Sequence, residues 1–249
     1  KKFKRLIKFG EALPKLRSTV AAHLRQPGLG RERVLATVLR ILSMSFMRPG
    51  SQVYASENGS FGIATLRPKH VKVKKDVIEF DFPGKSGVQQ VRQGKDHHVA
   101  KVFRSLLKVP SREVFKYQNG NGEFIDVTRS HINSYIREVM GENFSAKDFR
   151  TWAGTLTCAC ALARAASEPV ESETARKRKI VEAVKETAEA LGNTPAVCRS
   201  SYVCPEVIDS FKGGQCIKKY GSLNELSRYR GRKLHPAEKS LLNFMKQQQ

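Results

Sequence analysis

The sequence predicts a mostly helical α+β protein that carries a small antiparallel β-hairpin sheet. Apolar residues recur at helical spacing through most of the chain, which is the pattern of helices with one buried face. Between residues 60 and 94 the pattern changes to alternating apolar and charged side chains, as in half-buried strands. Because 40% of the 249 residues are hydrophobic, the chain has enough apolar material for a substantial core.

Helical spacing begins in the first residues of the chain. The apolar residues on this pattern are Phe3, Leu6, Ile7 and Leu13. A second helix is predicted over residues 31–46, and the Pro49-Gly50 pair ends the pattern just beyond Arg48. We therefore expect Arg48 at the point where a helix gives way to a loop.

Short β segments are predicted from residue 60 to residue 94. A first strand is expected from Phe61 to Thr65, and an antiparallel hairpin follows it. The alternating apolar positions of that hairpin are Val71, Val73, Ile78, Phe80 and Phe82. The glycine-rich segment 83–87 is the turn that closes the next hairpin, and it contains Lys85.

The chain returns to helical spacing after this sheet. The predicted helices cover residues 97–107, 130–140, 146–166 and 172–191. A brief strand pair is expected around the Asn119–Gly122 turn. The Gly213-Gly214 pair marks a break, so we expect one domain over 1–213 and a basic C-terminal helical extension over 214–249.

The charge of the chain indicates the class of its partner. The sequence has 45 Lys and Arg against 23 Asp and Glu, a formal net charge of +22. Such a balance predicts a polyanionic partner, and nucleic acid before membrane. No window has the roughly 18 consecutive apolar residues of a spanning helix, and the basic start is not followed by a signal-peptide core. We expect an intracellular protein.

The cysteines argue against a structural metal. They are Cys158, Cys160, Cys198, Cys204 and Cys216. None forms a CxxC pair, and no histidine lies at zinc-finger spacing. An odd number in a large basic chain suits a reducing compartment, where Cys158 and Cys160 are expected as small apolar residues of a helix.

The prediction of function rests on several separated motifs and on the order in which they occur along the chain. They are Arg48 at a helix end; Tyr54 with the segment 57–62; Lys85 in a Gly-Lys-Ser-Gly turn; residues 147–152 at a helix start; and Asn193 with Tyr202 nine residues later. Taken singly, each has an ordinary reading. Arg48 is a helix cap, Lys85 an exposed turn residue and Asn193 a helix stop plus N-cap. Arg150 is a surface or cation–π residue and Tyr202 a packing residue.

In this order and context the motifs resemble those of the bacterial and poxvirus-type IB DNA topoisomerases, which are relatives of the tyrosine recombinases. The resemblance runs from near the N-terminus to about Gly213. It implies the fold of a DNA breaking-rejoining catalytic domain that forms half of a clamp around duplex DNA. The other half would be an N-terminal domain, and the start at lysine within a helical pattern suggests that such a domain has been cut away. The resemblance implies a monomer that needs no metal, ATP or other cofactor.

The resemblance also assigns catalytic roles. Tyr202 would be the nucleophile, forming a 3′-phosphotyrosyl bond that stores the energy of the broken strand. Arg48 and Arg150 would clamp the scissile phosphate, because the planar guanidinium fork matches two phosphate oxygens. Asn193 would donate a further hydrogen bond to that phosphate. Lys85 would be the general acid that protonates the departing 5′ oxygen.

DNA contacts outside this set are also expected. Tyr54 and Lys147 match family positions that touch DNA phosphates. The hairpin from Lys69 to Lys75 is basic on one face and is expected across a groove, although lysines on an edge strand also discourage aggregation. The histidine pair at 97 and 98 and His131 are expected as surface or capping residues.

The sequence departs from the family pattern at Pro49, usually an aliphatic residue, and at Cys204, where a histidine is common. Asn193 replaces the histidine of the poxvirus and recombinase branches, which favours the bacterial branch and a location in the cytoplasm or nucleoid.

Two other functions stay open at this point. A tyrosine recombinase shares the chemistry, but it usually shows His-x-x-Arg at the second arginine, where this chain has Lys147 to Arg150. A DNA-binding module that has lost catalysis would keep the basic surface without the reaction.

Overall fold

The computed structural model describes residues 4–141, 144–167 and 172–248. Most of these residues are helical, and two small antiparallel sheets complete the regular structure, so the predicted fold class is confirmed. The chain forms two compact units. Lys15–Lys147 is termed the mixed unit, and Lys1–Pro14 together with Asp148–Gln249 is termed the helical unit.

The helices in chain order are α1 (Lys4–His23), α2 (Arg31–Ser45), α3 (Gln52–Asn58), α4 (His97–Leu106), α5 (Arg129–Met140), α6 (Ala146–Ala166), α7 (Glu173–Leu191), α8 (Pro195–Ser201), α9 (Pro205–Lys212), α10 (Leu223–Arg228) and α11 (Pro236–Gln247). The strands are β1 (Val71–Lys74), β2 (Val77–Pro83), β3 (Gln89–Lys95), β4 (Lys116–Gln118) and β5 (Phe124–Asp126). Helices α4 to α7 match their predicted ranges to within one residue at each end. Within the described ranges, no helix has the length and apolar character that crossing a membrane requires.

Helix α2 lies at the centre of the mixed unit. Its apolar stripe, which includes Leu35, Val38 and Ile41, is fully buried. The helix packs against α4, α5, β3 and β4. The rings of Phe80 in β2 and Phe103 in α4 meet edge to face at 5.8 Å and tie the sheet to the helices.

The main sheet has the strand order β1-β2-β3, and both pairs are antiparallel. Val71 lies opposite Phe80 across the first pair. The alternation along β2 buries Ile78, Phe80 and Phe82 on one face, as the sequence predicts. The connection from β2 to β3 covers residues 84–88, within one residue of the predicted turn.

The prediction of a strand from Phe61 to Thr65 is wrong. Ile63–Thr65 forms one turn of 3-10 helix. The backbone N–H of Ile63 donates to the carbonyl oxygen of Arg48 at 2.9 Å, and the next N–H donates to the next carbonyl, also at 2.9 Å. Because these bonds tie the segment to the loop after α2, its N–H groups do not join a strand ladder.

Helix α6 forms the core of the helical unit and is buried on nearly every face from residue 149 to residue 163. Phe9 of α1 packs edge-on against Phe149 with ring centroids 5.1 Å apart. The indole N–H of Trp152 donates to the carboxylate of Glu238 in α11 at 3.3 Å. The last helix of the chain therefore packs into the same unit as α6. The predicted break at Gly213 follows the end of α9 directly, while the proposed domain limits at 213 and 214 stay a prediction.

Candidate active site

Arg150 lies in the second turn of α6 and is almost completely buried, with 2% of its surface exposed. Its Nη2 donates to the carbonyl oxygen of Leu191 at 2.9 Å. The centre of its guanidinium group lies 4.9 Å from the centroid of the Tyr202 ring. Arg150 therefore links α6 to the end of α7 and to the tyrosine predicted as the nucleophile.

The end of α7 is shaped to present the carbonyl that Arg150 binds. Gly192 caps the helix with a left-handed backbone at φ 62°, which glycine adopts without steric cost. The N–H of Asn193 then donates to the carbonyl oxygen of Ala188 at 2.9 Å, as in a Schellman motif. The carbonyl of Leu191, at the negative end of the helix, accepts from the arginine, which is a favourable placement for a cation.

Asn193 is half-buried, two residues beyond the carbonyl that Arg150 binds. Its ordinary reading as a helix stop is confirmed, because α7 ends at Leu191, but its reading as the N-cap of the next helix is wrong. Thr194 occupies that position, where its hydroxyl accepts from the N–H of Val197 at 3.4 Å. The cap moves by one residue because Pro195 is the first residue of α8, the position that proline favours in helices.

Tyr202 directly follows α8 as its C-cap and is half-buried. Its N–H donates to the carbonyl oxygen of Cys198 at 2.9 Å, which fixes the main chain of the tyrosine to the last turn of the helix. The helical unit thus brings together Arg150 and Tyr202, with Asn193 on the segment that anchors the arginine.

Burial dominates the electrostatics of this cluster. It lowers the pKa of Arg150, while Tyr202 and Cys198 act in the opposite direction. It raises the pKa of the Cys198 thiol to about 11, with Arg150 opposing the shift. Since an arginine keeps its proton in proteins, the cluster holds a desolvated positive charge beside a phenol ring. Such a charge favours an anion nearby, either a phenolate or a phosphate.

Arg48 and its loop belong to the mixed unit. The arginine is half-buried and lies three residues beyond the end of α2, as predicted. The loop packs closely on Gly62, where an added Cβ would come within 2.4 Å of the Gly50 nitrogen and 2.7 Å of the Arg48 carbonyl oxygen. The carbonyl oxygen of Pro49 accepts a hydrogen bond at 2.9 Å from the N–H of Ala64, which ties the loop to the segment beyond Gly62.

Lys85 is exposed at the tip of the β2–β3 hairpin, also in the mixed unit. The turn is closed by the N–H of Gly84, which donates to the carbonyl oxygen of Val88 at 2.9 Å. Ser86 and Gly87 both have left-handed backbones, with φ values of 60° and 72°. The side chain of Lys85 therefore projects from a tightly folded turn into solvent.

The predicted DNA contacts all lie on the surface. Tyr54 is 61% exposed on α3, a short helix that the sequence analysis did not predict. Lys69 lies in a 3-10 turn directly before β1, and Lys147 is the exposed second residue of α6. His131 caps the start of α5, where its Nδ1 accepts from the N–H of Thr128 at 3.2 Å, as expected of a capping residue.

Cys204, the second departure from the family pattern, is buried at the N-cap position of α9. Its Sγ donates to Glu206 at 2.8 Å. Burial raises the pKa of this thiol, so it stays neutral. In the part of the chain that is described, no three His, Cys, Asp or Glu side chains are grouped as metal ligands are.

Two residues of α6 that were not predicted from the sequence support Tyr202. Gly154 and Thr155 contact the main chain at and just after the tyrosine. A signal for Gly154 was present, because a glycine inside a helix is unfavourable and usually has a packing reason. It also lies four residues after Arg150, on the same face of the helix.

Comparisons with known proteins agree with these observations. The chain matches the family model described as "Eukaryotic DNA topoisomerase I, catalytic core" over residues 1–228. It is 33% identical over 216 residues to DNA topoisomerase 1B of Acanthamoeba polyphaga mimivirus, covering 85% of this chain and 64% of that protein. It is 24% identical over 183 residues to DNA topoisomerase 1B of Vaccinia virus (strain Copenhagen), covering 72% of this chain and 54% of that protein. The chain thus spans less than two thirds of the length of either viral relative.

Among solved structures, the post-cleavage complex of the XerH site-specific recombinase with a palindromic difH substrate aligns with 80% of this chain and 50% of its own. The TM-score is 0.47 and the sequence identity 15%, values too low to bear on function. The family model, by contrast, extends over both units and over every residue predicted to act on DNA. The chain belongs to the family of the eukaryotic DNA topoisomerase I catalytic core.

Proposed function

We propose that this chain is the catalytic part of a type IB DNA topoisomerase, which nicks one strand of duplex DNA through Tyr202 and then reseals it. The observation that carries the proposal is the buried guanidinium of Arg150, 4.9 Å from the ring centroid of Tyr202, in a chain of this family. A desolvated cation next to a phenol is the arrangement that lowers the energy of a phenolate nucleophile and of a charged phosphate.

The proposed reaction exchanges one phosphodiester bond for another. The phenolic oxygen of Tyr202 attacks the phosphorus and loses its proton to the surroundings, and the bond from phosphorus to the 5′ oxygen breaks. The electron pair of that bond stays on the 5′ oxygen, which takes a proton from Lys85. Resealing is the reverse, with the 5′ hydroxyl attacking the phosphotyrosine. Since the bond energy is retained, no ATP is needed.

The other predicted residues have roles that follow from the charge developed in this reaction. Attack on the phosphate increases the negative charge on its non-bridging oxygens. Arg150 and Arg48 would donate to those oxygens as paired N–H forks, and Asn193 would add a single amide donor. The position of Asn193, two residues from the carbonyl that holds Arg150, supports a shared role for the two residues.

Torsion in the DNA would drive relaxation. While Tyr202 holds the 3′ end, the free 5′ end rotates about the intact strand, so supercoils of either sign are lost.

We propose that the protein does this as a monomer on duplex DNA, with an N-terminal domain completing the clamp. Tyr54, Lys69 and Lys147 would contact the phosphate backbone, and their exposure supports this. Asn193 supports a place in the bacterial branch, and therefore action in the cytoplasm or nucleoid.

A plasmid assay and a trapping assay test the proposal together. We expect the wild-type chain to convert supercoiled plasmid into a ladder of relaxed circles and to form a covalent adduct with a nicked suicide substrate. The Tyr202→Phe variant should do neither. Tyr220→Phe is the matched control, since Tyr220 is an exposed tyrosine of the same unit. Mass spectrometry of the DNA-linked peptide should identify Tyr202.

The outcomes separate the alternatives. A wild-type chain that binds DNA but forms no adduct would be a DNA-binding module without catalysis. An adduct that leads to joined plasmids rather than relaxed single circles would indicate a recombinase. An adduct on a tyrosine other than Tyr202 would overturn the assignment of the nucleophile.

A further inference from the structure

Helix α6 supports the main chain of Tyr202 as well as presenting Arg150. Gly154 lies so close to the tyrosine that an added Cβ would come within 2.8 Å of the Tyr202 carbonyl oxygen and 3.0 Å of its Cβ. Backbone atoms cannot move aside as a flexible side chain can. The absence of a side chain at position 154 is therefore what allows the tyrosine to rest on the helix.

The neighbouring Thr155 holds the same segment by hydrogen bonds. Its hydroxyl donates to the carbonyl oxygen of Tyr202 at 3.2 Å and accepts from the N–H of Cys204 at 3.1 Å. Thr155 is fully buried, so both bonds form away from water. One side chain thereby satisfies two backbone groups of the turn that connects α8 to α9.

These contacts attach the main chain of the nucleophile to the helix that carries the cation. Arg150 and Gly154 are four residues apart and share a face of α6, and Thr155 is adjacent. The distance from the guanidinium to the phenol ring is therefore set by one helix and by the contacts of the tyrosine main chain with that helix. A displacement of about 1 Å at a reacting group can lower a rate by roughly 10²-fold.

We propose that Gly154 and Thr155 are positioning residues for Tyr202: they fix the main chain of residues 202–204 against α6 so that the phenol faces the scissile phosphate. The inference rests on the proposed role of Tyr202 as the nucleophile. Neither residue contacts the reacting atoms. Their effect is expected on the rate of cleavage at saturating DNA and not on the affinity for DNA.

Three substitutions separate positioning from packing. Thr155→Val keeps the size of the side chain but removes both hydrogen bonds, and Thr155→Ser retains the hydroxyl. Thr157→Val is the matched control, because Thr157 is also buried in α6 and residues two apart on a helix point in nearly opposite directions. The readouts are the single-turnover rate of adduct formation on a saturating nicked suicide substrate, and DNA affinity measured in a Tyr202→Phe background.

We expect Thr155→Val to slow adduct formation by about 10- to 100-fold with unchanged affinity. Thr155→Ser should restore most of the rate, and Thr157→Val should cleave like the wild type. Wild-type cleavage by Thr155→Val would overturn the inference, and so would a Thr155→Ser variant as slow as Thr155→Val, which would indicate packing alone.

A second variant covers the case in which Thr155→Val does not fold. Gly154→Ala introduces the Cβ that meets the Tyr202 main chain, and it should slow cleavage although alanine is the better helix former. A Gly154→Ala variant with the wild-type rate would overturn the inference. If the wild-type chain itself forms no adduct, the proposed function fails. If it does and these variants match it, only the positioning role fails.

Discussion

The buried side chain of Arg150 makes several contacts at once. Its side chain is buried, and its guanidinium binds the end of α7 and faces the ring of Tyr202. A buried cation is costly unless hydrogen bonds and an anion compensate it. The carbonyl of Leu191 supplies one such bond, and a bound phosphate would supply the negative charge. Its burial therefore fits a charge kept in place for an anionic ligand.

Replacing Arg150 should affect chemistry more than binding. We expect Arg150→Ala to lower single-turnover cleavage by about 10² to 10³-fold, the scale of losing one oxyanion donor. Arg150→Lys should restore little, because an ammonium group cannot reproduce the planar fork that reaches two acceptors. The measurement is the rate of adduct formation at saturating suicide substrate. Arg199→Ala, an exposed arginine of α8, is the control, and an Arg150→Ala rate equal to that of the control would remove Arg150 from the site.

The buried thiol of Cys198 predicts a loss of stability at alkaline pH. Its pKa rises from an ordinary value near 9 to about 11 in the folded chain because of burial. Between these values the unfolded thiol has lost its proton while the folded thiol retains it, so the free energy of unfolding falls as pH rises. The stabilisation is fully present below pH 9 and is lost as pH rises through 11.

Urea unfolding at a series of pH values from 7.5 to 10.5 checks this prediction. A Cys198→Ser variant should show a shallower fall in unfolding free energy over this range, because a serine hydroxyl does not titrate there. Cys216→Ser, at a half-buried position, is the comparison. Equal slopes for the wild type and Cys198→Ser would contradict the assignment of the effect to Cys198.

At the level of elements, α6 organises the helical unit and α11 supports α6. Trp152, two residues after Arg150, donates its indole N–H to Glu238 in α11. The other carboxylate oxygen of Glu238 accepts from the N–H of His235 at 2.8 Å and caps the start of α11. Helix α11 lies beyond residue 228, where the family match ends. A helix outside the region matched by the family model therefore packs against α6, the helix that carries Arg150.

Removing the contact between Trp152 and Glu238 should destabilise the helical unit. We expect Glu238→Ala to lower the free energy of unfolding by about 2 kcal/mol or more, because the buried indole N–H loses its acceptor and the N–H of His235 loses the carboxylate that completes the capping box of α11. Glu225→Ala, which removes a similar cap at the exposed start of α10, should have a smaller effect. Urea unfolding of both variants measures the difference. If Glu238→Ala is no worse than Glu225→Ala, the contact with Trp152 does not contribute.

At the level of the whole molecule, the net charge of +22 predicts binding to DNA that depends strongly on salt. The logarithm of affinity should fall with the logarithm of salt concentration at a slope of about −0.9 for each phosphate neutralised. Lys69→Gln and Lys147→Gln should each make the slope shallower by about 0.9 if each lysine contacts one phosphate. Fluorescence anisotropy with a Tyr202→Phe chain measures this without cleavage.

Lys177→Gln is the control for this experiment. Lys177 is also exposed, but it forms an ion pair with Glu173 at 2.8 Å on α7 and is not among the residues predicted to contact DNA. A slope near zero for the parent chain would contradict the electrostatic account of binding. If the slope changed by the same amount in all three lysine variants, the salt dependence of DNA binding would depend on the total charge of the chain and not on contacts at Lys69 and Lys147.

Local patterns in the sequence were sufficient to predict most of the helices and strands. Apolar spacing predicted α4 to α6 closely, and the alternation along β2 predicted its buried face, because periodicity follows from backbone geometry. The Ala, Glu and Lys content of residues 172–191 predicted α7. The turn at Lys85 was predicted from its glycines, because glycine adopts the left-handed backbone conformations of tight turns without steric cost. The segment from Phe61 to Thr65 was assigned wrongly because an apolar run is equally compatible with packing on a loop, and only the hydrogen bonds to Arg48 and Pro49 distinguish the two.

The sequence by itself determined the fold class, the basic character and, by resemblance, the residues proposed to act on DNA. The tertiary structure alone decided which distant groups support them. Leu191 holds Arg150, Thr155 holds the turn after Tyr202, and Glu238 holds Trp152. These partners lie 41, 47 and 86 residues apart, whereas sequence periodicity reports only on neighbours within a turn or two. Long-range partners are set by how the elements pack, because complementary shape and buried polar groups select them only after the chain has folded.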